Sequence, residues 1–284
     1  MSDTPISLRD EVVKKQPSTM TNSDAMERSN TVGSVVFETH HLDKLCSALE
    51  NSNGTARKLT STTAISLGGF VLCTTPLSMV LLGWQGASGS GAGNLGSWIW
   101  LGGIVTIVGA IGDWITGHIF PAIVFSLFGG FWCSFGTMLV PDAGAFSAYS
   151  TDPNNPAEGL TEPAFSATVA FFLMAMSFLC LIFLLASLRV NVAFCFAFAG
   201  LIPTMDLLAA SYWAAADGKT SKALTLQHGS AGCLLAVSLL GWYILAALVL
   251  PTVDFPVVLP LGDLSHRIKG ASQRARRQNP GFDV

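Results

Sequence analysis

Positive charge is missing from the middle of this chain: no Lys or Arg occurs between Lys58 and Arg189. Charged residues of both signs make up only 12% of the 284 positions, about half the roughly 25% of ordinary soluble domains. That scarcity excludes a nucleic-acid binder, which needs a basic patch to neutralise phosphates. Cysteine is sparse too, with six in all. Cys73, Cys133, Cys180, Cys195 and Cys233 lie within apolar runs at no metal-ligand spacing, as small packing residues do, and no secreted disulfide framework is visible. HExxH, P-loop, GxSxG and CxxC patterns are all absent, so chemistry on a substrate has no visible agent. Neither an enzyme nor a bound cofactor or metal is expected.

What is present is apolar. Hydrophobic residues reach 50% and the mean hydropathy is +0.52. Six apolar stretches fall near 62–84, 96–116, 119–141, 164–187, 191–214 and 227–250, each long enough as a helix to cross a hydrocarbon layer of roughly 30 Å. A β-barrel would show short alternating segments instead. The 28 glycines suit helices that approach closely at small residues. The expected fold is therefore an all-α membrane protein of six transmembrane helices, with a tail over 1–58, a membrane domain over 59–251 and a second tail over 252–284. The first tail is polar and too poor in apolar residues to order itself. It carries Asp3, Arg9, Asp10, Glu11, Lys14 and Lys15 where a signal peptide would need an apolar core.

Orientation follows from the basic residues, which cytoplasmic flanks retain. Of the 15 Lys and Arg, only Lys219 and Lys222 fall opposite the two tails and the Arg189 turn. Both termini are thus expected in the cytoplasm, where the Asn53-Gly54-Thr55 sequon would go unused.

Three stretches resemble the acetate uptake transporter family, which holds bacterial succinate/acetate permeases and fungal ammonia/acetate exporters. They are Gly68 to Ser78 in the first apolar segment, Phe128-Gly129-Gly130-Phe131-Trp132-Cys133-Ser134-Phe135 in the third, and Leu188 through Trp213 across the fifth. Gly241-Trp242-Tyr243 adds to them. The resemblance implies a homo-oligomer, described as a hexamer, in which each protomer encloses its own pore. Carried over by motif, an apolar constriction falls on Phe70, Phe128 and Leu201. The family often has Tyr at the second position, and Phe128 removes that hydroxyl, so no hydrogen bond is offered to a passing carboxylate. A small or protonated solute is favoured, since a bare anion in an apolar neck costs several kcal/mol to desolvate.

One departure stands out. The family signature Asn-Pro-Ala-Pro-Leu-Gly-Leu is replaced by Ser61-Thr62-Thr63-Ala64-Ile65-Ser66-Leu67. Ser61, Thr62 and Thr63 are expected to supply capping hydroxyls and donors in place of the amides that prolines free at a helix start. Two acids lie inside apolar segments, where ionisable groups are costly enough to suggest function. Asp113, followed by Trp114, matches an acidic-aromatic pair of the family and reads either as a gating group or as an interfacial acid paired to backbone or base. Asp206, five positions beyond Leu201, lies about 140° around the helix from it. It reads as a buried contact between helices or protomers, or as a proton-coupling carboxylate. Asn191 fits a polar pathway position or a solvated cap, and Arg189 an attractor of carboxylates or a positive-inside anchor.

The resulting expectation is a plasma-membrane transporter or channel for acetate and other short monocarboxylates, linked to protons. Two alternatives stand beside it. One is ammonia or ammonium export. The other is a non-transporting regulator acting through its tails, where Ser18, Thr19, Thr21, Ser23 and Ser29 are open to phosphorylation. The expected partners are a small carboxylate or ammonia, the lipid bilayer and further copies of the chain.

Overall fold

A computed structural model describes residues 62–264. Ser61, the N-terminal tail and residues 265–284 lie outside the described residues. Six helices form: α1 Thr62–Leu81, α2 ending at Ile115, α3 Ile119–Met138, α4 Pro163–Ser187, α5 Val192–Ala216 and α6 Thr220–Val249. All six are long and apolar enough to cross a membrane, with the second span counted over Gly91–Ile115, and the described residues contain no strand. Their ends follow local chemistry. Asn191 caps α5, its side chain accepting from the Phe194 amide. Pro163 opens α4 at a position whose amide needs no partner. Gly117 turns the chain between α2 and α3 at φ 82°, a left-handed conformation that a side chain would strain.

α6 starts at Thr220, two turns ahead of the expected 227. Hydropathy misses those turns because Lys222 and several hydroxyls interrupt the apolar run. Tertiary bonds hold them instead: Ser211 Oγ donates to the Ala223 carbonyl at 2.9 Å, and Gln227 Nε2 to the Leu81 carbonyl at 3.1 Å. α1 and α3 stop three residues sooner than expected, at the left-handed Gly83 and just ahead of Pro141.

The helices pack in the order α4, α5, α6, α1, α2, α3. α3 and α4 meet through aromatic rings, Phe131 on Phe172 at 5.6 Å and Phe128 on Phe183 at 6.2 Å. α1 and α2 meet backbone to backbone. A Cβ on Gly109 would stand 2.6 Å from the Ser66 nitrogen and 2.9 Å from the Thr62 carbonyl oxygen. The approach is sealed by Ser66 Oγ donating to the Thr106 carbonyl at 2.9 Å and Thr106 Oγ1 to the Ser66 carbonyl at 3.2 Å. Within α2, Trp98–Val105 winds as a π-helix, a wider turn that often marks functional sites. Its Gly102 lets α3 close in, since a Cβ there would lie 2.8 Å from Trp132 Cγ and from Cys73 Sγ. Outward, α4 and α5 present Phe171, Phe178, Ile182, Leu185 and Phe196, a surface that only hydrocarbon or another apolar face can cover.

The bundle has two ends. The tail end carries the start of α1, the Arg189 turn and the end of α6, and the loop end carries residues 139–162. At the loop end, Glu158 accepts from the Ser150 and Thr151 hydroxyls and from the Thr151 and Asp152 amides. The Ser150 bond, followed by the backbone ones, holds its carboxyl below the ordinary value.

Candidate functional site

Phe70, Phe128 and Leu201, drawn from α1, α3 and α5, come together on the bundle axis. Their exposures are 7%, 2% and 2%, and the two rings touch edge to face with centroids 5.4 Å apart. All three line two small cavities, one on each side of them. The tail-side cavity, about 30 Å³, adds only apolar neighbours, among them Leu67, Phe194, Phe198 and Ile244. The loop-side cavity, about 20 Å³, adds Thr74, Trp132 and Thr204. Beyond it, sharing Leu77, Phe135 and Leu208, opens a chamber of about 220 Å³ with Ser166, Ser211, Tyr212 and Gln227. Following α1 and α5 residue by residue, the order from tail end to loop end is apolar cavity, three-residue neck, a second small apolar cavity, and a chamber that exposes polar groups.

Size and polarity decide what these spaces hold. A water needs roughly 10–15 Å³ and two to four polar partners, so the tail-side cavity has the volume for one or two waters but nothing to bond them. The loop-side cavity exposes no polar atom either, although Thr74 and Thr204 stand in its wall, because their hydroxyls are turned to their own helices. Thr74 Oγ1 donates to the Phe70 carbonyl at 3.1 Å and Thr204 Oγ1 to the Gly200 carbonyl at 2.8 Å. A larger open groove of about 600 Å³, lined by Ser134, Thr137, Tyr149 and Thr168, lies between α3 and α4 and touches none of the three neck residues.

The other candidates fall elsewhere. Asp113 is fully buried, and both Thr62 Oγ1 and Thr63 Oγ1 donate to its Oδ1 at 2.7 Å. Those threonine hydroxyls are therefore committed to tying α1 to α2, which corrects their expected role as donors for a helix cap or a solute. The close approach at Gly109 and Gly112 brings them within reach. Among the described residues Asp113 is paired to neither backbone nor base, and its Oδ2 has no hydrogen-bond partner there. Asn191 serves as the cap of α5. The neighbouring Val192 and Ala193 amides donate to the Gly262 and Leu261 carbonyls at 2.8 and 3.3 Å, so the returning C-terminal segment uses up the donors of that helix start. Asp206 is exposed on the outer face of α5. The buried contact within one protomer is not made, because the helix turns Asp206 away from the axis as its angular offset from Leu201 requires.

Sequence reasoning overlooked two indoles. Trp98 and Trp132 stand with ring centroids 6.1 Å apart, and neither Nε1 has an acceptor among the described residues. The signal was available: an indole N–H in the middle of an apolar run normally needs a partner. Among the described residues no three His, Cys, Asp or Glu side chains gather to hold a metal ion.

Known proteins are similar to this chain in sequence and fold. Over 93% of this chain and 97% of the relative, the sequence is 35% identical to the protein alcS of Aspergillus fumigatus. Over 72% of this chain and 78% of the relative, it is 30% identical to the acetate transporter protein patA of Aspergillus clavatus. The structure of the bacterial acetate channel SatP superposes with a TM-score of 0.55 at 20% identity, covering 71% of this chain and 98% of that one, a likeness of fold. This is a multi-pass, all-helical membrane protein, and since residues 48–266 match the GPR1/FUN34/yaaH family across every described helix, the chain belongs to that family.

Proposed function

We propose that this protein carries acetate and similar short monocarboxylates across a membrane along the axis of each protomer. The observation that carries the reading is the series of axial cavities with Phe70, Phe128 and Leu201 between them. Relatives named as an acetate transporter and an acetate channel support the substrate class. The neck offers no hydrogen bond and no charge, so the solute crosses it as the neutral acid. An ionised carboxylate in an unpaired apolar setting neutralises rather than remain charged. Net movement of the acid thereby moves a proton with it. The basic residues of the tails support a cytoplasmic tail end, the plasma membrane is the proposed host membrane, and in this reading a ring of copies, six by family resemblance, covers the apolar outer faces.

The test is uptake of labelled acetate into liposomes holding the purified protein, against empty liposomes, for wild type, Phe70→Ala and Leu201→Ala. Saturable flux whose rate or size selectivity changes in both variants is expected. Folded protein that shows only leak overturns the reading. Ammonia flux in the same vesicles, and acid response after deletion of residues 1–55, would then separate an ammonia exporter from a tail-operated regulator.

A further inference from the structure

We propose that the outer faces of α5 and α6 bind further copies of this chain, Asp206 of one copy accepting a hydrogen bond from the His228 imidazole of the next. The proposal rests on the ring of copies in the reading above, and not on the solute that crosses it. Among the described residues the six spans hold four Asp, Glu, Lys, Arg or His side chains, namely Asp113, Asp206, Lys222 and His228. Asp113 is buried and bonded inside the protomer. Lys222 lies two residues into α6, where a long side chain reaches water at the loop end. Asp206 and His228 are both exposed, with neither a hydrogen bond nor an ion pair among the described residues. Asp206 stands ten residues inside the end of α5 at Ala216, about 15 Å along the helix and near the middle of a hydrocarbon layer of roughly 30 Å. Ionisable groups at that depth are paired or face water-filled spaces, and neither residue lines any of the cavities above.

The two residues lie at one depth. Ser230 Oγ donates to the Thr204 carbonyl at 2.7 Å and Ser211 Oγ to the Ala223 carbonyl at 2.9 Å, which fixes the register of the antiparallel helices α5 and α6. Two residues onward from Thr204 is Asp206, and two residues back from Ser230 is His228. Five residues back from Ser211 and five onward from Ala223 reach the same two. Their directions are opposed. Two residues turn a helix by about 200°, so Asp206 points away from the side of α5 that meets α6, and His228 away from the side of α6 that meets α5. No bond between them can form within one protomer. Rotation about an axis along the membrane normal keeps depth unchanged and carries the His228 side of one copy onto the Asp206 side of the next, the head-to-tail contact from which rings close. The chemistry is complementary, because a carboxylate only accepts while an imidazole carries an N–H donor in either charge state. Gly232, one turn from His228 on the same face, is exposed with open space at its Cβ, which lets a neighbouring helix come close. Phe196 on α5 and Leu224 and Leu239 on α6 are exposed as well and supply apolar area for that helix to cover.

The experiment breaks the pair and restores it. Full-length wild type, His228→Asp and the exchange Asp206→His/His228→Asp are purified in detergent, and particle mass is followed by light scattering on dilution. His228→Asp sets two carboxylates against each other across the contact. It should raise the concentration at which the oligomer half-dissociates by about 30-fold or more, as expected when one partner of a buried hydrogen-bonded pair is lost, and the exchange should return it to within about threefold of wild type. In liposomes, chains with Asp206→Cys and chains with His228→Cys, differently tagged and co-expressed, are treated with a short bis-thiol reagent. Covalent mixed dimers are expected above the level that the native cysteines give, and neither variant by itself should exceed that level. An oligomer that withstands His228→Asp, an exchange no better than His228→Asp alone, or mixed chains that cross-link no more than wild type overturns the pair and leaves the ring standing. Wild type that is monomeric in detergent and in liposomes overturns the pair and the ring together. Acetate uptake bears on neither outcome, so the transport reading stands or falls separately.

Discussion

Widening the neck should change which form of the solute crosses. A carboxylic acid with an ordinary pKa of about 4.3 is neutral at pH 7 in roughly one molecule in 500, and protonating it costs about 3.7 kcal/mol. Carrying the anion through a ring of Phe70, Phe128 and Leu201 instead means stripping a charge of water with no partner, a larger penalty by any scale. On the proposed axial route the neutral form is therefore expected to cross in wild type. Protein-mediated flux at fixed total acetate should therefore fall about tenfold for each pH unit between 6 and 8. Leu201 lies against the cavities on both sides. Leu201→Ala opens that partition, joining spaces of about 30 and 20 Å³ into one wide enough for a solute to carry some of its own water through. An anion that keeps part of its hydration pays less, and the pH slope should flatten to about threefold per unit or less. The assay is initial uptake of labelled acetate into proteoliposomes with pH equal on both faces, with empty-vesicle leak subtracted at each pH. Truncating a buried leucine costs about 2–5 kcal/mol, so monodispersity and melting are checked first. Wild-type flux that ignores pH, or a variant slope as steep as wild type, would refute the reasoning.

Other expectations test the frame around the neck. Gly109→Ala puts a Cβ against the Ser66 nitrogen and the Thr62 carbonyl, both backbone atoms. It should destabilise the protein by about 1–3 kcal/mol, read as a lower melting temperature, whereas Gly130→Ala, with open space at its Cβ, should not. Thr62→Val/Thr63→Val strips Asp113 Oδ1 of both hydroxyl donors and should cost about 2–4 kcal/mol; adding Asp113→Leu should recover part of that loss. Asp206 faces outward from a membrane span, where lipid contact would cost about 2.5–3.5 kcal/mol. If a neighbouring copy covers it, Asp206→Leu shrinks the detergent-extracted particle in light scattering, and an unchanged mass counts against that cover. Glu158 titrates below its ordinary value, so the loop order it supports is full above that value and is lost as pH falls through the lowered one. Exchange of the Thr151 and Asp152 amides should accelerate there, and Glu158→Gln should show the faster exchange at all pH values.

Sequence alone determined the class of molecule, because membrane insertion is decided by runs of apolar side chains and by the placement of Lys and Arg, both of which are local. Six spans were legible on that basis, whereas the positions Phe70, Phe128 and Leu201 came from the motifs that resemble the family. Tertiary structure decided whether those positions meet, since residues far apart in sequence share an axis only once α1, α3 and α5 pack. It also decided the roles of polar groups. Thr62 and Thr63 read as capping hydroxyls and donors until Asp113, fifty positions on, is seen taking both hydroxyls, and Asn191 reads equally as a pathway residue or a cap until it is seen capping α5. Hydropathy could not show the π-turn of α2 or the early start of α6, because helix pitch and hydrogen bonds from neighbouring helices leave no trace in an average of side-chain polarity. The unpartnered N–H of Trp132 belongs to the same category. Its identity is written in the sequence, but the absence of an acceptor is a property of everything packed around it.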